Sequence, residues 1–382
     1  MGLISAPITA ELVRGAAELE PTDRGLLPHR LPEWARAQCG DPQLARAEAQ
    51  PSGVRLVLRT RATELELDTL RGKVAHRGVP PRPDGVYDLL VDGELVARAS
   101  TTGGDLLTFD LSTGTAETEP GPAGTVRFAG LPDRDKELQV WLPHDERTEL
   151  LELRADAAVE AVPAAGKRPV WLHHGSSVSQ GSDAASPTTT WPAIAAHRGD
   201  LELINLGFGG GALLDPFTAR TMRAAPADLV SVKIGLNLVN RDLMRLRAFG
   251  PAVHGFLDTI REGHPRTPLL VVSPLHCPIH EHTPGPAAPE FRDGIRFVAT
   301  GDPDDRAAGK LTLSVVRDEL ARIVEQRRDP NLHHLDGSAL YGPADFAELP
   351  LPDDLHPDAD THVRIGERFA AEVFGPSGPF PR

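Results

Sequence analysis

The sequence is short of thiols, of clustered positive charge and of long apolar runs, and each shortage removes a class of function. Only two cysteines, Cys39 and Cys277, occur in 382 residues, far apart along the chain. They read as ordinary reduced thiols rather than a disulfide framework and point to a cytoplasmic setting. Forty Lys and Arg face 54 Asp and Glu, a formal net charge of −14, and no basic cluster interrupts it. A polyanion finds no electrostatic footprint here, so neither nucleic acid nor a phospholipid surface is an expected partner. No apolar run is long enough to span a bilayer. The stretch MGLISAPITAELVRG lacks a basic segment followed by a long apolar one, so no secretory leader is expected.

What is present is a globular composition, 40% hydrophobic and 25% charged, punctuated by 36 Gly and 36 Pro. That length exceeds a usual single core, and the pattern changes near the middle, so two domains are expected, 1–165 and 166–382. Between residues 54 and 162 apolar and polar residues alternate with period two. Examples are Val54-Arg55-Leu56-Val57-Leu58, Thr63 to Asp68, Glu137 to Leu142 and Glu149 to Leu153. Such alternation suits strands with one buried face. Val86–Val91 and Leu95–Ala99, joined across Asp92-Gly93, read as a hairpin. Short strands between Gly/Pro loops predict an antiparallel β-sandwich of jelly-roll kind. The first 50 residues carry no assignable pattern.

Val162 to Pro169 reads as a linker. Beyond it, apolar strand candidates at 169–174, 201–207, 229–235, 268–273 and 332–336 alternate with helical stretches at 191–198, 216–224, 251–262, 311–327 and 358–374. The order predicts an α/β domain, a parallel sheet between two helical layers, with its chemistry in the loops after the strands. Residues 274–310, rich in Pro, Gly and His, show little regular pattern and read as a lid or binding loop.

Four of the loops carry suggestive residues: Gly175-Ser176-Ser177 with Gly181, Asn205 to Gly211, Gly235-Leu236-Asn237, and Asp353-Asp354-Leu355-His356-Pro357. Taken singly each has a structural explanation: a small-residue turn, a glycine turn, an Asn turn residue, a helix-start carboxylate with a surface histidine. In this order, and at strand ends, they resemble the four sequence blocks of the SGNH (GDSL-type) esterase and acyltransferase superfamily. The resemblance spans about residues 169–375, and the layout resembles a two-domain form of that group with a sandwich in front. Ser176 stands where the family usually has Asp, and a structural hydrogen-bonding role is expected of it.

The resemblance implies a three-layer SGNH hydrolase domain in which Ser177 is the nucleophile, His356 the general base and Asp353 the carboxylate that orients it. It further implies an oxyanion hole made of the Ser177 and Gly210 backbone N–H groups and the Asn237 side-chain amide. The chemistry needs these types. A serine hydroxyl attacks only when a base takes its proton, and the carboxylate fixes the histidine tautomer. The spacing favours Asp353 over its rival Asp354 as that carboxylate. The implied activity is acyl transfer from a small-molecule ester or thioester, to water or to an alcohol acceptor, including steps of secondary metabolism. No cofactor or metal is expected.

Other features weigh less. His276-Cys277, His280 and His282 could ligate zinc, but without a second Cys/His cluster they read as a polar loop lining the pocket. His173 and His174 flank the nucleophile strand, one of them expected at the helical layer or the rim of the site, and Lys233 reads as structural. The alternative to an enzyme is a catalytically weak carbohydrate-binding protein using its sandwich. The aromatics there, Trp141, Tyr87, Phe109 and Phe128, fall at positions where burial is the simpler reading.

Overall fold

The computed structural model describes residues 2–110, 113–163, 168–291 and 294–380. It divides into two compact units. The first comprises Met1–Glu33, Ala45–Lys167 and Ala185–Thr188; the second comprises Trp34–Leu44, Arg168–Ala184 and Thr189–Arg382. Two short stretches therefore group across the expected 165/166 boundary, 34–44 with the second unit and 185–188 with the first. Residues 164–167 of the expected linker lie outside the described residues.

The first unit is built from two sheets. One runs Thr115–Glu119, Asp105–Asp110, Glu64–His76, Arg147–Ala155, Leu26–His29, Glu18–Pro21, with Ile4–Ala6 and Gly124–Ala129 paired alongside. The other runs Val159–Ala161, Arg55–Thr60, Lys136–Trp141, Val86–Val91, Glu94–Ser100, with Val13–Arg14 at Arg55–Thr60. Pairings are antiparallel except that of Glu64–His76 with Asp105–Asp110. The alternating apolar residues supply the core: Leu56, Leu58, Leu65, Leu67, Leu138, Val140, Leu150 and Leu153 are all buried. The hairpin turns at Asp92 and Gly93, both at positive φ, as a two-residue turn between twisted strands requires. Tyr87, Trp141 and Phe128 are buried too. The Tyr87 hydroxyl pairs with Thr69, and Arg55 lies over the Trp141 ring. They are spent on packing, which leaves the carbohydrate-binding alternative without a platform from these rings.

The second unit is the expected α/β domain. Its strands are β1 (Val170–Gly175), β2 (Glu202–Gly207), β3 (Leu229–Lys233), β4 (Leu269–Val272) and β5 (Leu332–Leu335). All pair in parallel, in the order β2-β1-β3-β4-β5. Helices α1 (Trp191–Arg198), α2 (Pro216–Ala224), α3 (Leu246–Gly263), α4 (Leu313–Arg327) and α5 (Ala359–Phe374) alternate with them. Helix α3 starts five residues before the expected 251. Pro251 lies inside it, where its missing N–H forfeits one bond of the second turn, and the first amide is satisfied by Gly309 O at 2.8 Å. Trp171 of β1 stacks on Phe369 of α5 and donates its indole N–H to Ser231 of β3 at 2.8 Å, locking that helix to the sheet.

The strand order reverses at β1, between β2 and β3, which opens a crevice at their carboxyl ends. Residues 274–310 differ from the irregular loop expected. They contain a helical turn at Pro278–Glu281 and an antiparallel pair, Ala287–Phe291 with Ile295–Ala299. Pro289 within the first strand disguised it.

Candidate active site

The strand ends converge as the parallel order dictates. β1 runs into a short helix, Ser177–Gln180, so Ser177 sits on its first residue, 7% exposed. That turn is tied from below. The His173 ring lies 2.7 Å from Ser231 Oγ and 2.8 Å from Ser179 Oγ, and Asn205 donates its amide to Ser179 O at 2.9 Å. Gly207 at the end of β2 passes so close that a Cβ there would meet Gln180 N at 2.4 Å. His174 faces the other way, bonded to Leu206 O and stacked on Phe256. Both histidines are thus buried scaffolding, and burial beside His174 and Lys233 holds His173 well below its ordinary pKa, so it stays neutral.

The far end of the chain brings in His356, the expected base. His356 Nε2 lies 3.0 Å from Ser177 Oγ, and its Nδ1 lies 2.7 Å from Asp353 Oδ2. The other Asp353 oxygen accepts the backbone N–H groups of Leu355 (2.9 Å) and His356 (2.6 Å). Burial works to raise this carboxyl, but the His356 ring and those amides outweigh it, and Asp353 sits below the usual carboxylate range. Asp354 turns away, in a left-handed conformation, onto Arg296 at 2.9 Å.

The three expected oxyanion donors lie in the loops after β1, β2 and β3. Ser177 begins its helix, where backbone N–H groups have no intrahelical acceptor. Gly209 N–H is taken by Gln180 Oε1 at 2.7 Å, whereas Gly210 N–H meets no protein acceptor among the described residues. Asn237 Oδ1 accepts Ala212 N–H at 3.1 Å, which leaves the Asn237 Nδ2 hydrogens to be donated elsewhere. Ser176 Oγ, expected to hydrogen-bond, is buried without a partner.

Several residues here had no sequence signal. Asp183 brings a second carboxylate, its oxygen within 4.8 Å of ligand atoms of both Asp353 and His356. Such a trio could hold a cation, but both His356 nitrogens already face Asp353 and Ser177, so the geometry is that of a proton relay. The 287–299 hairpin reaches the same loop. Phe297 donates its N–H to Asp353 O at 2.9 Å, and its ring meets that of His356 edge-on at 5.8 Å. The suspected zinc ligands do not converge. His276 binds Glu281, His280 binds Thr283 O, His282 approaches Ser314, and Cys277 lies against Asp354 O. Lys233 is buried, and that burial lowers it to about 8.

Residues 167–280 match the family model of GDSL-like lipases and acylhydrolases. In structure the chain is similar to the salicylyl-acyltransferase SsfX3 from a tetracycline biosynthetic pathway. The two are 29% identical with a TM-score of 0.78, covering 96% of this chain and 95% of that one. A GDSL-like lipase-type protein of Bacteroides ovatus aligns over 96% of each chain at TM-score 0.66 and 17% identity. A family two carbohydrate esterase of Clostridium thermocellum aligns over 84% of this chain and 91% of its own at 0.54 and 14%, and these last two attest the fold alone. No curated protein sequence matches. No helix among the described residues is long and apolar enough to cross a membrane. Residues 167–280 thus match a GDSL-like lipase/acylhydrolase domain, and the fold is that of an enzyme for serine-dependent acyl transfer or hydrolysis.

Proposed function

We propose that the protein transfers the acyl group of a small-molecule ester or thioester through an acyl-Ser177 intermediate, acting as an O-acyltransferase or ester hydrolase of secondary metabolism. His356 takes the hydroxyl proton as Ser177 Oγ attacks the carbonyl carbon, and returns it to the leaving group. Asp353 holds the ring in the tautomer with Nδ1 protonated and stabilises the imidazolium. The Ser177 and Gly210 N–H groups and the Asn237 amide receive the oxyanion, each worth about 100- to 1,000-fold in rate. The observation that carries this reading is the unbroken line from Ser177 Oγ through the His356 ring to Asp353, at 3.0 and 2.7 Å. Water and an alcohol deacylate the same intermediate. The likeness to a salicylyl-acyltransferase supports an alcohol acceptor and a metabolic pathway. Cys39 and Cys277 form no disulfide with each other, which supports a cytoplasmic setting.

The test is covalent trapping. Parental protein should be labelled by a fluorophosphonate at Ser177 and should accumulate an acyl adduct visible by mass spectrometry, discharged faster when alcohols are added. Ser177→Ala should lose labelling and p-nitrophenyl acetate turnover, by about 10⁴-fold or more. Labelling retained at another serine overturns the assignment.

A further inference from the structure

The peptide joining Gly209 to Gly210 holds the oxyanion donor with the weakest intrinsic restraint. A serine N–H at a helix start is fixed by the helix, and an Asn amide by its own acceptor contact. Gly210 has φ of +69°, and its neighbours Gly209 and Gly211 add no side chain, so little in the loop itself resists rotation of this peptide plane. A planar trans peptide points its C=O opposite to its N–H. Whatever grips the Gly209 carbonyl therefore aims the Gly210 N–H.

That grip comes from a segment outside the four family blocks. Gln43 donates its side-chain amide to Gly209 O at 3.0 Å. The next carbonyl, Gly210 O, accepts from Arg241 at 3.1 Å, and the same guanidinium binds Asp41 at 2.5 Å. Asp41 in turn accepts the Gln43 backbone N–H at 2.8 Å, so the two grips are one assembly. Arg241 follows directly on the short helix Leu236–Asn240 that carries Asn237, and its own N–H returns to Asn237 O at 3.1 Å. Leu44 packs against Gly211 from the same side. Residues 41–44 and the glycine loop belong to one compact unit.

We infer that Gln43 is a positioning residue for acyl transfer: it fixes the Gly209–Gly210 peptide so that the Gly210 N–H faces the oxyanion, with Asp41 and Arg241 bracing the following carbonyl. The inference rests on the reading of Gly210 as an oxyanion donor. A hydrogen bond to the peptide oxygen also polarises its N–H, strengthening the donor when charge develops on the substrate. Neither Gln43 nor Arg241 need touch the substrate for this.

Gln43→Met keeps the length of the side chain and removes the donor. With p-nitrophenyl acetate, kcat should fall about tenfold, less than the loss of a whole oxyanion donor, while KM changes less than about twofold. Affinity for a short alkyl boronic acid, which takes Ser177 Oγ into a tetrahedral adduct, should fall by the same factor as kcat/KM. Leu44→Ala should lower the unfolding midpoint without that split between kcat and KM, as a packing residue would. Should Gln43→Met fail to fold, Arg241→Met is the second variant, with a several-fold fall in kcat expected. Gln43→Met at parental kcat and boronate affinity, or changed only in its unfolding midpoint, overturns the inference, as does unaltered kcat in Arg241→Met. If Ser177→Ala abolishes turnover while Gln43→Met does nothing, only this inference fails. Turnover surviving Ser177→Ala removes the proposed function itself.

Discussion

The two units arrange their polar groups in opposite ways. In the sandwich, charges answer one another locally. Arg154 holds Glu66, Asp68 and Glu152 at 2.6–2.9 Å across one sheet face, and buried Asp88 is answered by Ser186, Thr188 and Arg98. Each set closes on itself. In the α/β unit the buried polar groups form a line. Ser231, His173, Ser179 and Asn205 lead up to the Ser177 turn, and the line continues through His356 to Asp353. Closed clusters stabilise; a line that runs through a reactive atom transmits position to it. Burial of polar side chains is costly wherever it occurs, but only the second arrangement runs along the proposed catalytic residues.

The sharpest test of that contrast is His173→Leu. It strands the Ser179 hydroxyl in a dry layer and leaves Ser231 only the Trp171 indole, so we expect a loss of about 1–3 kcal/mol in urea unfolding together with a fall in kcat. The pH dependence has a definite sign. The native state keeps His173 neutral, so below its ordinary value near 6.5 the unfolded chain binds a proton that the native state does not. Stability therefore drops with falling pH, by up to about 1.4 kcal/mol per unit for one group, and the variant should lose that share of the acid slope. An unchanged kcat in His173→Leu would make the line mere packing, no different from the sandwich clusters.

A smaller effect is expected at Asp215, which follows the glycine loop 209–211. Burial, reinforced by the charge of Asp41, raises this carboxyl to about 6, and one of its oxygens has no partner. Between about 4 and 6 the native state retains a proton the unfolded chain has released, so this group's stabilisation is complete in acid and is lost as pH rises through 6. Asp215→Asn should leave stability near pH 4 unchanged and raise it at pH 8, on the order of 1–3 kcal/mol by the shift. Thermal melts at the two pH values check it. No gain at pH 8 would mean that solvent already relieves the carboxylate.

The smallest effect belongs to the sandwich. Arg154→Gln should cost about 1 kcal/mol at low salt and less in 1 M NaCl, because its partners remain partly solvated. Turnover by the folded variant should match the parent. A loss comparable to that of His173→Leu would erase the distinction between the two polar arrangements.

Much of this was legible in residue order. Period two placed the sandwich strands, because one face of each is buried. Strand–helix alternation placed the parallel sheet, whose strands lie within a residue or two of the expected spans. The four loop blocks stood out because the catalysis that their resemblance implies constrains residue type as well as spacing. The hairpin at 287–299 was not legible, since its strands are short, half-exposed and interrupted by Pro289. The Asp183 carboxylate carries no motif at all.

The chain's own order thus determined which elements form and which residue types stand at the strand ends, since periodicity and turn chemistry are local. Tertiary structure alone decided that Gln43, 166 residues away in sequence, grips the Gly209 carbonyl, and that Arg241 takes the Gly210 carbonyl beside it. Both depend on where folded backbones bring side chains within about 3 Å, a length scale on which separation along the chain carries no information.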